Sequence, residues 1–194
     1  MSIMKTHGIT LYGNTAEFNI ALRPLCDAHL PLLYQWNADP EVLYWCEGAD
    51  VQANDAETVH DIYGRTSQHA FCFLVETNGV PIGECWLQRA RVPDLYPDTA
   101  DVRRIDMMLG EKAYWNCGIG TALIGMLVDF AFRVEHVDAL HEIVYDYNKR
   151  SQRVFEKNGF TLLKKEPSIE APAKAKEDFH YRLTRQEYLE RQGE

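Results

Sequence analysis

The sequence predicts an α/β (α+β) fold: a mixed, mostly antiparallel sheet of about six to seven strands flanked by helices. Three observations carry this. Strand signals in the first half come as hairpins, the clearest being Asn78-Gly79 between apolar runs at 71–76 and 80–88. A strand over 102–109 then passes through a glycine-containing turn into a helix whose apolar residues Leu123, Ile124, Leu127, Val128 and Ala131 follow helical spacing. A strand and a capped helix recur over 140–157, and helices inserted among mostly consecutive strands make a sheet covered by helices.

In chain order, runs at 9–12 and 18–22 flank Gly13-Asn14 and read as a hairpin. Asp27 is placed to cap a helix with Leu30, Leu33 and Tyr34 on its apolar face, ended by residues 37–40. The stretch 41–48 reads as aromatic and irregular, and Asn54 with Glu57 three residues on opens another helix. The loop 91–100, with Pro93 and Pro97, leads into the 102–109 strand. After the strand at 140–145, Asn148 caps a helix to Lys157, which Asn158-Gly159 closes before a strand at 160–163. The polar segment 166–177 reads as a mobile loop, 178–183 as a last strand and 184–190 as a short helix.

Composition narrows the class. At 194 residues, with 46% hydrophobic and 25% charged residues, the chain suits one globular domain, 1–194 with a core of about 18–186. No apolar run reaches the roughly 18–20 residues of a membrane span, and the opening MSIMKTHG lacks the apolar stretch of a signal peptide, so a cytoplasmic location is expected. Five cysteines without CxxC spacing argue against a disulfide framework or a zinc site. A formal charge of −9 disfavours nucleic acid as a partner and is compatible with a cationic small molecule, or with solubility alone.

The richest stretch is Leu109-Gly110-Glu111-Lys112-Ala113-Tyr114-Trp115-Asn116-Cys117-Gly118-Ile119-Gly120-Thr121, a strand end, a GxG turn and an apolar helix. Glycines let backbone approach a ligand closely, and the N–H groups opening a helix suit a pyrophosphate. A structural tight turn is the alternative, and neither GxGxxG nor a Walker lysine is present.

This stretch resembles the coenzyme A loop of the GNAT superfamily of N-acetyltransferases, Gln/Arg-x-x-Gly-x-Gly/Ala, with Trp115 in the Gln/Arg position and Gly118 and Gly120 matching. Downstream, the segment from Asn148 to Phe160 (NKRSQRVFEKNGF) is similar to the superfamily's Asn-x-x-Ala/Ser-x-x-x-Tyr/Phe-x-Lys-x-Gly-Phe. Shorter matches, among them Leu22-Arg23-Pro24, Leu33-Tyr34-Gln35-Trp36, Val80-Pro81-Ile82-Gly83 and Ile105-Asp106, extend the likeness to aminoglycoside 6'-N-acetyltransferases over 21–186, although ribosomal-protein N-terminal acetyltransferases look similar over much of this length.

The resemblance implies acetyl-CoA as cosubstrate, no metal, a splayed strand pair at the coenzyme, and direct transfer to a primary amine of a small cationic acceptor. It implies coenzyme contacts from Met107, Met108, Leu109, Trp115, Asn116, Cys117, Gly118, Ile119, Gly120, Thr121, Asn148, Ser151, Phe155 and Lys157. Asp106 takes the catalytic position, binding or deprotonating the amine; an ion pair with Arg103 or Arg104 is the structural alternative. Tyr44, Trp45, Glu47, Asp101 and Asp146 are the acceptor candidates, with Asp98 and Trp36 as weaker ones. Phe155 stands where many members carry a tyrosine thought to protonate the leaving thiolate, so Tyr145 or Tyr147 substitutes, the thiolate leaves unaided, or activity is slow. A protein N-terminal acetyltransferase and a non-catalytic acetyl-CoA-binding module are the alternatives, either as monomer or homodimer, with no membrane partner.

Overall fold

A computed structural model describes residues 2–46, 48, 52–168 and 175–194. Glu47 and residues 169–174 of the expected loop lie outside them.

The chain runs β1 (Leu11–Asn14), β2 (Asn19–Pro24), α1 (Leu30–Asn37), α2 (Pro40–Cys46), α3 (Ala56–Thr66), β3 (Ala70–Thr77), β4 (Val80–Arg89), β5 (Val102–Leu109), α4 (Ile119–Asp129), β6 (Ala139–Tyr145), α5 (Lys149–Lys157), β7 (Thr161–Pro167), β8 (Glu177–Thr184) and α6 (Arg185–Gln192). The strands form one eight-stranded sheet in the order β1-β2-β3-β4-β5-β6-β8-β7, where about six to seven strands were expected. Every neighbouring pair is antiparallel except β5 and β6, which pair in parallel through only Val102↔Ala139 and Arg103↔Leu140. Beyond Arg103 the two strands part, giving the splay that the resemblance implied.

Strand alternation divides the core between the two faces. On β3, Phe73 and Val75 join a cluster with Leu123, Leu127 and Phe155 from α4 and α5, while Cys72 and Leu74 join Leu33, Trp36, Val42 and Tyr63 from α1, α2 and α3. Both faces are thus covered. Trp36 is buried, its Nε1–H donating to Glu111 at 2.9 Å, so it is core and not pocket wall. A Cβ on Gly110 would run into its indole.

Local chemistry explains where the elements depart from expectation. The first hairpin turns at Thr15 to Phe18, where Thr15 N–H donates to the Phe18 carbonyl, and not at Gly13-Asn14. Gly13 sits inside β1 because Met126 packs where its side chain would lie. Asp27 does not cap α1; its carboxylate accepts from the N–H groups of Ile3 and Met4 and ties down the N-terminal segment. Residues 40–46 are helical, started by Pro40 at a position where its missing N–H costs nothing. Asp55, not Asn54, caps α3. Part of the expected 166–177 loop belongs instead to β7 and β8. Asn78-Gly79 has positive φ at both residues, the geometry of a tight two-residue hairpin. Asn148 caps α5 by accepting from Ser151 N–H, and Gly159 with φ +96 follows its end.

Candidate active site

A cleft of about 690 Å³ opens where β5 and β6 diverge, walled by α2 and α3 on one side and by the start of α4 and α5 on the other. Strand pairing sides alternate, so Ile105, Met107 and Leu109 turn their backbone toward β6. Ile105 N–H is taken by the Glu142 carboxyl at 2.8 Å. Among the described residues Met107 and Leu109 have no strand partner on that edge; the Trp115 indole N–H donates to the Leu109 carbonyl at 2.7 Å.

One end of the cleft is cationic. Arg150, Arg153 and Lys157 lie at successive turns of α5 and line it together with Asn116, Gly118, Gly120 and Thr121 around the N-terminus of α4. Positive φ at Asn116 (63°) and Gly118 (81°) folds the loop before the helix. Gly118 answers to that backbone angle, since a Cβ there would meet nothing within 4 Å. At Gly120 a Cβ would make only ordinary contacts with Met107 and Val154, so the protein itself leaves room for a side chain. Unpaired helix-start N–H groups beside three cations suit phosphates. The Arg150 guanidinium lies between two indoles, 4.7 Å from the Trp45 ring and 5.4 Å from the Trp115 ring. Asn148 Nδ2–H and Tyr147 O–H donate to the carbonyls of Trp45 and Tyr44, so the end of α2 is joined to the start of α5 across the cleft.

The other end carries carboxyl groups. Glu84, Asp106 and Glu142 all line the cleft, and both glutamates are buried. Asp106 accepts from Gln88 at 2.6 Å and from Arg104, through Nε at 2.9 Å and through a second, shorter contact. The ion pair foreseen as the structural alternative is therefore present, made by Arg104. Tyr63 O–H donates to Glu84 at 3.4 Å. Burial, and then the neighbouring charge of Asp106, pushes the Glu142 carboxyl well above the usual carboxylate range.

Of the residues expected at the site, the cleft brings together Trp45, Asp106, Met107, Met108, Leu109, Trp115, Asn116, Gly118, Gly120, Thr121, Asn148, Ser151, Phe155 and Lys157. Others lie elsewhere. Asp101 is held by Arg103 through contacts of 3.0 and 3.1 Å, and Asp98 faces Arg91 on the surface. Asp146 takes the backbone N–H of Lys176. Cys117 is exposed, Ile119 points into the core, and Tyr44 packs on Trp45 and Tyr147 outside the cleft lining. Glu47 is not described. Sequence reading passed over Glu84, Glu142, Arg150 and Arg153. A carboxylate inside an otherwise apolar strand was the available signal for the first two, and cations at i, i+3 and i+7 (Arg150, Arg153, Lys157) for the others. Among the described residues no group of three His, Cys, Asp or Glu is placed to hold a metal, and no helix is long and apolar enough to cross a membrane.

Comparison with known proteins gives the family and the fold. Residues 19–161 match the family model described as an acetyltransferase (GNAT) domain. The chain is 25% identical over 161 residues to the aminoglycoside N(6')-acetyltransferase type 1 of Klebsiella pneumoniae, covering 79% of this chain and 80% of that protein. Among solved structures, the aminoglycoside acetyltransferase AAC(6')-Ib in complex with coenzyme A and kanamycin superposes with a TM-score of 0.74 at 22% identity, over 90% of this chain and 99% of that one. The spermidine N-acetyltransferase of Vibrio cholerae in complex with CoA and spermine gives 0.72 at 15% identity, over 88% and 98%.

Proposed function

Because the chain belongs to the GNAT acetyltransferase family, and so is an N-acetyltransferase using acetyl-CoA, we propose that it acetylates a primary amine of a small polycationic acceptor of the aminoglycoside kind. The observation that carries this reading is the arrangement of charge along one cleft, with Arg150, Arg153 and Lys157 at the α4–α5 end and, at the other, Glu84, Glu142 and an Asp106 carboxylate paired with Arg104. Phosphates belong at the first and ammonium groups at the second. The relatives that act on aminoglycosides point the same way.

In this reading the backbone from Asn116 to Thr121 receives the pyrophosphate, with Arg150, Arg153 and Lys157 as counter-charges. The edge at Met107 and Leu109, beyond the last β6 pair, pairs with the pantetheine amides and sets the thioester beside Asp106. Asp106 exchanges Arg104 for the acceptor's ammonium, which must lose a proton before its lone pair attacks the thioester carbonyl. A strand N–H stabilises the tetrahedral oxyanion. The departing thiolate takes a proton from Tyr145, which lines the cleft as Tyr147 does not; the Tyr147 phenol is raised to about 12, chiefly by burial. Phe155 packs against Phe160 and offers no proton.

The test is thiol release from acetyl-CoA with kanamycin, tobramycin, spermidine and an N-terminal peptide. Aminoglycoside turnover whose Michaelis constant rises from low to physiological salt is expected, because attraction between exposed charges is screened over about 8 Å at physiological ionic strength. Turnover of spermidine alone would narrow the acceptor to linear polyamines, and turnover of the peptide alone would remove the small-polycation reading.

A further inference from the structure

We infer that Glu142 is a positioning residue that holds the β5–β6 fork open, its carboxyl standing in for the strand carbonyl that would otherwise receive Ile105 N–H. This rests on the coenzyme reading of the cleft and adds a residue to it.

The placement is specific. The parallel ladder stops at Arg103↔Leu140, and Ile105 N–H is the next donor on the edge facing β6. In a continuing parallel ladder that donor would bond a backbone oxygen of β6 and draw the strands together. Here it bonds Glu142 Oε1 at 2.8 Å, so a side chain projecting from β6 fills the distance between the backbones. A buried N–H left unmet would be costly, and zipping onto β6 would be the available remedy without Glu142. The same side chain therefore ends one ladder and leaves the Met107 and Leu109 edge exposed to the cleft.

The chemistry of the group fits this role. Glu142 is 4% exposed, and its burial, then the charge of Asp106, shifts the carboxyl toward its neutral form, in which an oxygen still accepts from Ile105 N–H. A glutamine reproduces that neutral shape and the acceptor oxygen. An alanine leaves Ile105 N–H without it, and a leucine keeps the volume but not the oxygen.

Titration calorimetry with acetyl-CoA on wild type, Glu142→Gln, Glu142→Ala and Glu142→Leu tests this, with thermal melting as a check on folding. Gln should bind within about threefold of wild type. Ala and Leu should bind at least roughly tenfold more weakly, the loss attached to one buried hydrogen bond. Wild-type affinity in a folded Ala or Leu variant would overturn the inference. So would a Gln variant that binds acetyl-CoA normally yet loses turnover, because it would assign Glu142 a proton-transfer role. If wild type itself fails to bind acetyl-CoA, the coenzyme reading falls first and the fork's purpose with it.

Discussion

The Arg104 guanidinium closes on the Asp106 carboxylate from two residues away on the same strand, while Gln88 donates to that carboxylate from β4. In the proposed reading the acceptor end thus already contains a cation, with which a substrate ammonium would compete. Removing the competitor should favour the substrate: Arg104→Ala is expected to lower the Michaelis constant for a polycationic amine several-fold. Asp106→Asn should reduce turnover about 100-fold or more if the carboxylate assists deprotonation, with acetyl-CoA affinity little changed. Steady-state thiol release and calorimetry on the two variants check both outcomes. An unchanged kcat in Asp106→Asn would remove the residue from the mechanism.

Gly118 and Gly120 separate two uses of glycine. Gly118→Ala must strain a backbone at φ +81, whereas a Cβ on Gly120 meets Met107 and Val154 at ordinary distances. Gly120→Ala should therefore melt like wild type yet bind acetyl-CoA more weakly, and Gly120→Asp should bind more weakly still by adding a charge that repels phosphate. Calorimetry showing normal acetyl-CoA affinity in Gly120→Asp would displace the pyrophosphate from this loop.

Gly110 provides a control of the opposite kind. Its added Cβ would collide with the buried Trp36 indole, which is fixed by its bond to Glu111. Gly110→Ala should cost about 2 kcal/mol of stability through overpacking, measured by denaturant unfolding. A variant as stable as wild type would mean that the loop yields easily at this point.

Acid sensitivity should come from His141, which lines a small pocket with Gln88 and Arg104. His141 lies between Tyr96 O–H at 3.2 Å and the His180 ring at 2.9 Å, and burial first, then the proximity of His180, lowers it to about 4. The unfolded value is about 6.5, so between these limits the unfolded chain binds the extra proton. Stability from this group is intact above about 6.5 and declines as pH falls toward about 4. Melting temperatures across that range should show the decline, and His141→Gln should reduce its slope. An unaltered slope would place the acid-sensitive group elsewhere.

Most of the fold could be read from local chemistry, because hairpin, cap and periodicity signals act over a few residues. Asn78-Gly79, the Asn148 cap and the strand at 102–109 are of this kind. The misread pieces depend on distant partners. Gly13 resembles a turn residue until Met126 covers it, and Asp27 resembles a cap until the N-terminal segment claims its oxygens. The site divides similarly. Motif spacing pointed to the residues that line the α4–α5 end of the cleft, while Glu84 and Glu142 acquire meaning only when the sheet brings them beside Asp106. Asp101 and Asp146 have suitable charge but lie outside the cleft lining, where Asp101 meets Arg103 and Asp146 accepts from Lys176 N–H.

The two-residue junction between β5 and β6 also has a consequence in time. Strands β1 to β5 are neighbours in chain order as well as in space, whereas β6 reaches β5 only after the α4 crossover. Contacts that close short loops form more readily than those closing long ones, so the β3–β4–β5 meander is expected to belong to the folding nucleus and the junction to form late. Weakening the Asn78-Gly79 turn should then slow refolding, while weakening Val102 or Ala139 should chiefly hasten unfolding. The ligand cleft would be the last part of the molecule to take shape and the first to come undone.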